Sequence, residues 1–304
     1  MAEHKEKNFI SAVVYLNNAQ DAVVPFFRTL NERLDARFEQ YELIAVDDRC
    51  TDDTVGLLKE WAKDLKKPLT IIHMSLYQGV EIAMNAGLDC SIGDYVYEFD
   101  CPQAPWPWQM VDDAYDTAMK GSDIVSVCPD TQRVSSKLFY KVFNANSRSA
   151  YQLRTDAFRL VSRRAINRVH AVSARLPYRK AAYAASGLKM SDLLFKGTVS
   201  KQNEGRFGLA IDSLALYTDA GYKASLGLTG AMLVLALAEL MYTLAVYLGG
   251  APIEGWTTTM FVLTAGFAGL FALFAIALKY LCLILEFTFK RQTNLIEGIE
   301  KIQK

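Results

Sequence analysis

Short apolar runs alternate with helical stripes along the first half of the chain. Residues 9–16 (FISAVVYL) read as a buried strand ending at Asn17-Asn18. Residues 22–38 read as a helix whose apolar stripe runs through Val24, Phe27, Leu30 and Leu34. A second apolar run, 43–46 (LIAV), is closed by Asp47 and Asp48, and a polar turn then leads through Asp52-Asp53 into a helix over 54–65. Residues 69–73 predict a third strand, followed at Gly79 by a helix through Leu88; 95–100 and 123–127 predict a fourth and a fifth strand. Strands alternating with helices predict an α/β fold with a mostly parallel sheet.

Ligands of such sheets bind beyond the carboxyl ends of the strands. Asp47 and Asp48 stand at such an end, where a carboxylate accepts from a nucleobase N–H or a ribose hydroxyl; an ordinary turn with an acidic helix cap accounts for the same residues. The fourth strand ends in YEFDCPQ, and strand alternation puts Glu98 and Asp100 on one face. Carboxylates there suit a hard divalent ion bridging phosphates, or simple solvation.

The pattern breaks after Lys223. Residues 225–248 are apolar apart from Glu239, and 256–287 apart from Lys279 and Glu286. Each run exceeds the ~20 residues that cross a bilayer, so a two-helix transmembrane hairpin is expected, rather than a helical hairpin buried in protein. The link, 249–255, carries no Lys or Arg, whereas Lys223, Lys290 and Arg291 flank the far ends. The positive-inside rule then places both termini and the soluble domain in the cytoplasm, in an inner or plasma membrane protein. Glu239 inside a bilayer is costly as an ion; protonation, a polar groove or pairing in a homo-oligomer through the transmembrane helices would each satisfy it.

Composition adds mainly exclusions. Net charge is zero, which gives no general attraction to nucleic acid. Five cysteines at scattered spacings suggest neither a zinc site nor a disulfide framework, and three scattered histidines give no metal cluster or Ser-His-Asp triad. The start, MAEHKEKN, has no apolar core of a secretory signal. Neither GxGxxG nor GxxxxGK[ST] occurs, which argues against a dinucleotide site or a P-loop.

The stretch 45–54, AVDDRCTDDT, resembles the VDDGSTDDT of family 2 glycosyltransferases with the Rossmann-like GT-A fold. Residues 79–100 resemble that family's G-x-E-A-A-x-x-A-G-L…A-x-GD-x-V-x-x-x-D, and 156–160 (DAFRL) resembles the D-F-R-L of its polyprenyl-phosphate (dolichyl-phosphate) monosaccharide synthase branch. Residues 205–209 (GRFGL), Asp219 and the run 280–286 with Arg291 are similar to that branch's stretches before and after its membrane helices. The resemblance implies a GT-A catalytic domain over 1–200, an interfacial helix region over 201–224, the hairpin over 225–289 and a cytoplasmic tail over 290–304. Leu209, Leu214, Leu216 and Tyr217 suit a helix lying in the membrane interface, or one packed against the catalytic domain.

Departures are specific. The first strand ends in Asn17-Asn18-Ala19 rather than in the family's P-x-Y-N-E, and the usual D-x-D is Asp100-Cys101-Pro102, followed by Gln103. Three options follow: Asp100 and Gln103 suffice for Mg²⁺ or Mn²⁺, Glu98 joins Asp100, or metal binding is weak or absent. The processive Q-x-x-R-W motif is missing, which favours transfer of a single sugar.

The resemblance implies a cell-envelope enzyme that moves one sugar from a nucleotide sugar to a polyprenyl phosphate in the bilayer, with inversion. A phosphomonoester, with a second pKa of about 6, is already a nucleophile at neutral pH. The protein must therefore supply positioning and charge stabilisation rather than a base. Asp47 or Asp48, with Asn18, would hold the donor. Asp100, Arg159 and Arg206 would serve the leaving group and the reaction. Arg159 and then Arg133 would grip the acceptor phosphate through bidentate bonds; Arg163 and Arg164 follow, with surface charge an equal reading for both. Two rivals are a glycosyltransferase acting on another membrane lipid, and a non-catalytic nucleotide-sugar-binding relative with a degenerate D-x-D.

Overall fold

The computed structural model describes residues 5–131, 134–146, 151–172, 178–198 and 295–302, with isolated positions between 227 and 284. The elements follow in order as β1 (Ile10–Leu16), α1 (Gln20–Arg37), β2 (Tyr41–Asp47), α2 (Thr54–Ala62), β3 (Leu69–Met74), α3 (Val80–Cys90), β4 (Tyr95–Phe99), α4 (Gln109–Met119) and β5 (Ile124–Pro129). They continue as α5 (Val134–Asn146), β6 (Phe158–Ser162), α6 (Arg163–Val172), α7 (Arg179–Ala185), β7 (Met190–Phe195) and β8 (Ile296–Ile302). The five strands expected from the apolar runs are β1 to β5, with ends displaced by one or two residues.

One eight-stranded sheet has the order β7-β5-β6-β4-β1-β2-β3-β8. Strands β4, β1, β2 and β3 are mutually parallel; β6 runs antiparallel to β4 and β5, and β8 antiparallel to β3. Central strands covered on both faces need apolar residues at nearly every position, and β1 and β2 are buried throughout. Ile10, Ala12, Val14 and Leu16 face a core shared with α1, α2 and α4. On the other face α3 lies so close that a Cβ on Gly87 would come within 2.4 Å of Val13 Cγ1. This is an α/β architecture of the GT-A type, in which the parallel strands β1, β2 and β4 terminate on one side of the sheet.

Two compact units divide the chain. One takes in Met1–Leu209 and Gln292–Lys304, the other Ala210–Arg291. The tail expected over 290–304 therefore supplies a strand to the sheet, with Ile71 opposite Glu300 in β8. Among the described residues no helix is long and apolar enough to cross a membrane. The runs 225–248 and 256–287 lie mostly outside the described residues, as the interfacial region 201–224 does entirely. Described positions of the second unit are helical apart from Gly255.

Candidate active site

The end of β2 holds two carboxylates with different duties. Asp48 is fully buried. Its oxygens accept from the Gln78 and Gly79 backbone N–H groups, each at 2.8 Å, and from the Tyr15 hydroxyl at 2.9 Å. Because Gly79 precedes α3 with φ of 85°, Asp48 fixes the entry into that helix at a residue that needs glycine's freedom.

Asp47 retains a small exposed edge. It accepts from the Cys50 N–H at 2.8 Å, and His73 Nδ1 stands 2.8 Å from its other oxygen. Burial first, and then the Asp47 carboxylate, push the Cys50 thiol up to about 12. Asn18, in the left-handed region at φ 48°, accepts at Oδ1 from the Thr51 N–H at 2.8 Å and the Thr51 hydroxyl at 3.2 Å. Asn18, Asp47 and Asp48 thus share one network, the loop after β2 strapped to the end of β1.

A second cluster lies at the end of β4. Glu98 opposes Arg159 across the β4–β6 pair, and Asp100 follows on the same side. Arg159 Nη2 donates to Asp100 Oδ2 at 3.1 Å, Nη1 lies 3.4 Å from Glu98 Oε2, and Nε lies 2.9 Å from Asp156 Oδ2. Arg179, the first residue of α7, enters from the other side. Its Nη1 donates to Glu98 at 2.5 Å, Nη2 to Asp100 Oδ1 at 2.7 Å, and both Nε and the backbone N–H to Glu81 Oε2, at 2.9 and 3.1 Å. Lys180 pairs with Asp156 at 3.1 Å, and the Tyr183 hydroxyl donates to Glu98.

The cluster is interior: Arg179 and Glu98 are 0% exposed, Arg159 and Lys180 2%, Asp156 5% and Asp100 9%. Burial alone would lower the basicity of these cations, but carboxylates outweigh it. Asp156, Asp100 and Glu98 hold Arg159 upward, Glu81, Glu98 and Asp100 hold Arg179 upward, and Asp156 holds Lys180 upward.

Gln103 is exposed on the loop after β4. It lines a cavity of about 480 Å³ with Pro25, Phe26, Trp106 and Trp108. Arg163 and Arg164 are not brought to this end. Since β6 runs antiparallel to β4, it delivers them to the opposite end of the sheet, where Arg163 donates to the Gly93 carbonyl at 3.0 Å and Arg164 to Asp123 at 2.9 Å. Arg133 and Arg206 lie outside the described residues. Sequence reasoning missed Arg179, Lys180, Tyr183 and His73. The available signal was a basic pair, Arg179-Lys180, heading the apolar run AAYAA.

Residues 11–183 match the family model described as Glycosyl transferase family 2. The chain belongs to glycosyl transferase family 2. This family 2 glycosyltransferase is 26% identical over 193 residues to an uncharacterised glycosyltransferase of Synechocystis sp., covering 61% of this chain and 60% of that one. It is 26% identical over 168 residues to the bactoprenol glucosyl transferase of Shigella phage SfV, covering 53% and 54%. Over 125 residues it is 26% identical to the undecaprenyl-phosphate 4-deoxy-4-formamido-L-arabinose transferase of Edwardsiella ictaluri, covering 41% and 38%. The chain thus spans about three-fifths or less of the length of these relatives. A mannosyltransferase of Pyrobaculum calidifontis, solved with GDP-Man and Mn²⁺, shares the fold at a TM-score of 0.53 and 17% identity, over 91% of this chain and 88% of that one.

Proposed function

We propose that this glycosyltransferase moves one sugar from a nucleotide sugar to a polyprenyl phosphate at the cytoplasmic face of a membrane. The observation that carries the proposal is the path of the chain. It leaves the catalytic unit at Leu209, forms a separate unit over Ala210–Arg291, and returns to add β8 to the same sheet. If the intervening unit crosses a bilayer, it does so an even number of times, as a hairpin does.

The surface of that unit supports the same conclusion. Leu263, Leu270, Phe274, Leu281 and Ile284 occupy helical positions and are each half or more exposed. Steps of three, four and seven residues keep them on one face of a helix. Two relatives named for bactoprenol and undecaprenyl phosphate point to the same acceptor class.

Asp47 and Asn18, at the ends of β2 and β1, are assigned to the donor nucleoside; Asp48 is assigned to holding α3. The acceptor phosphate is ionised at neutral pH and attacks the anomeric carbon directly. The carbon–oxygen bond to the nucleoside diphosphate breaks as the new one forms, inverting the centre. Arg159 is assigned to orienting Asp100, and Arg133 and Arg206 to the phosphates. Of the residues that would hold Mg²⁺ or Mn²⁺, Glu98 and Asp100 already carry guanidinium partners and Gln103 is exposed on its loop.

A donor screen tests the proposal: purified full chain in lipid, undecaprenyl phosphate and radiolabelled nucleotide sugars. Label entering the organic phase with one donor is expected. Label remaining aqueous with every donor counts against it.

A further inference from the structure

We infer that Arg179 is the resident positive charge at the end of β4, and that donor binding by this enzyme therefore needs no divalent cation. The inference rests on the nucleotide-sugar reading of the site.

Arg179 is anchored at both ends of its side chain. Its backbone N–H and Nε hold Glu81, while the two terminal nitrogens split between Glu98 and Asp100. A guanidinium with no exposed surface is tolerated only when such carboxylates surround it. Arg159 takes the second oxygen of Asp100.

A hard cation needs several oxygen ligands around it. Here Glu98 is sealed between Arg179, Arg159 and Tyr183, Pro102 has no side-chain oxygen, and both Asp100 oxygens already accept from arginines. Among the described residues no three His, Cys, Asp or Glu side chains form a group that could hold a metal ion. An ion on Asp100 would also stand beside two fixed guanidiniums, and like charges in a buried site repel strongly.

The charge count gives the consequence. Glu81, Glu98, Asp100 and Asp156 face Arg159, Arg179 and Lys180, four negative charges against three positive. The carboxylates that would repel a diphosphate are thus nearly neutralised before a donor arrives. Fixed charge of this kind requires no reorganisation during reaction. Arg179 has no exposed surface and bonds Asp100, so it is a positioning residue acting through that carboxylate.

The test reads Mn²⁺ directly, by electron paramagnetic resonance on the full chain in lipid, alone and with GDP or UDP. The wild type is expected to bind no stoichiometric Mn²⁺, and its affinity for the nucleotide it prefers should agree within about threefold between EDTA and Mn²⁺. Arg179→Met, which keeps volume and removes charge, should gain an Mn²⁺ site that a further Asp100→Asn removes. Arg179→Lys should keep metal-free nucleotide binding. Should Arg179→Met fail to fold, the wild-type spectra decide alone. One Mn²⁺ bound to the wild type and lost in Asp100→Asn overturns the inference and leaves sugar transfer standing. Failure of transfer to polyprenyl phosphate under every metal condition would instead strike the proposed reaction.

Discussion

His73 Nδ1 stands 2.8 Å from Asp47 Oδ2, and its other ring nitrogen lies 3.6 Å from Glu300 of β8. Lys59 pairs with Glu300 as well, and holds its carboxyl below the usual range. The last strand of the chain is thereby tied to the carboxylate assigned to the donor. His73→Ala should raise the dissociation constant for the preferred nucleoside diphosphate about threefold to tenfold, the scale of one lost hydrogen bond to a charged group at a partly exposed site. Calorimetric titration checks this, and an unchanged constant would detach His73 from the donor site.

Asp48 has a structural duty instead. Asp48→Ala leaves two backbone N–H groups at the start of α3 and the Tyr15 hydroxyl without their acceptor. A loss of about 3 kcal/mol in folding stability is expected, since each buried unsatisfied donor costs roughly 1–3 kcal/mol. Urea denaturation of the wild type and the variant measures it. A loss below about 1 kcal/mol would mean that water replaces the carboxylate.

Arg159 is buried among Asp100, Glu98 and Asp156. Removing one partner from a buried ion cluster costs about 3–5 kcal/mol, so Arg159→Ala should lose stability and transfer together. Arg159→Lys keeps the charge and should recover most of the stability, but not the two-sided contact to Glu98 and Asp100. If Arg159→Ala is as stable as the wild type and loses only affinity for the acceptor, the arginine faces the lipid phosphate rather than the cluster.

The framework was legible because buried parallel strands announce themselves as continuous apolar runs. Residues 9–16, 43–46 and 69–73 needed only small adjustments to become β1, β2 and β3. β8 was not legible: IEGIEKI alternates weakly and reads as a charged tail until β3 supplies its partner. The site divides in the same way. Asn18, Asp47 and Asp48 are neighbours through adjacent strands, which strand order alone makes plausible. Arg179 reaches Asp100 from 79 residues away. No local periodicity predicts that approach, so the guanidinium beside Asp100 was not legible in the sequence. Arg163 lies at the opposite end of the sheet from Asp100 because β6 runs antiparallel to β4.

Topology has its own test. If the proposed topology holds, with the catalytic unit and both termini cytoplasmic, Ala251→Cys in the 249–255 link should react with an impermeant maleimide added outside intact cells. Labelling only after the membrane is opened would place the link inside.

The central claim is that an ionised lipid phosphate is the nucleophile. The most direct measurement compares undecaprenyl phosphate with undecaprenol as acceptors for the full chain in lipid, with the preferred nucleotide sugar, and reads the anomeric configuration of the product by NMR. The expected result is a sugar phosphodiester of inverted configuration from the phosphate, and no product from the alcohol. Equal transfer to undecaprenol, or a retained anomer, would contradict it.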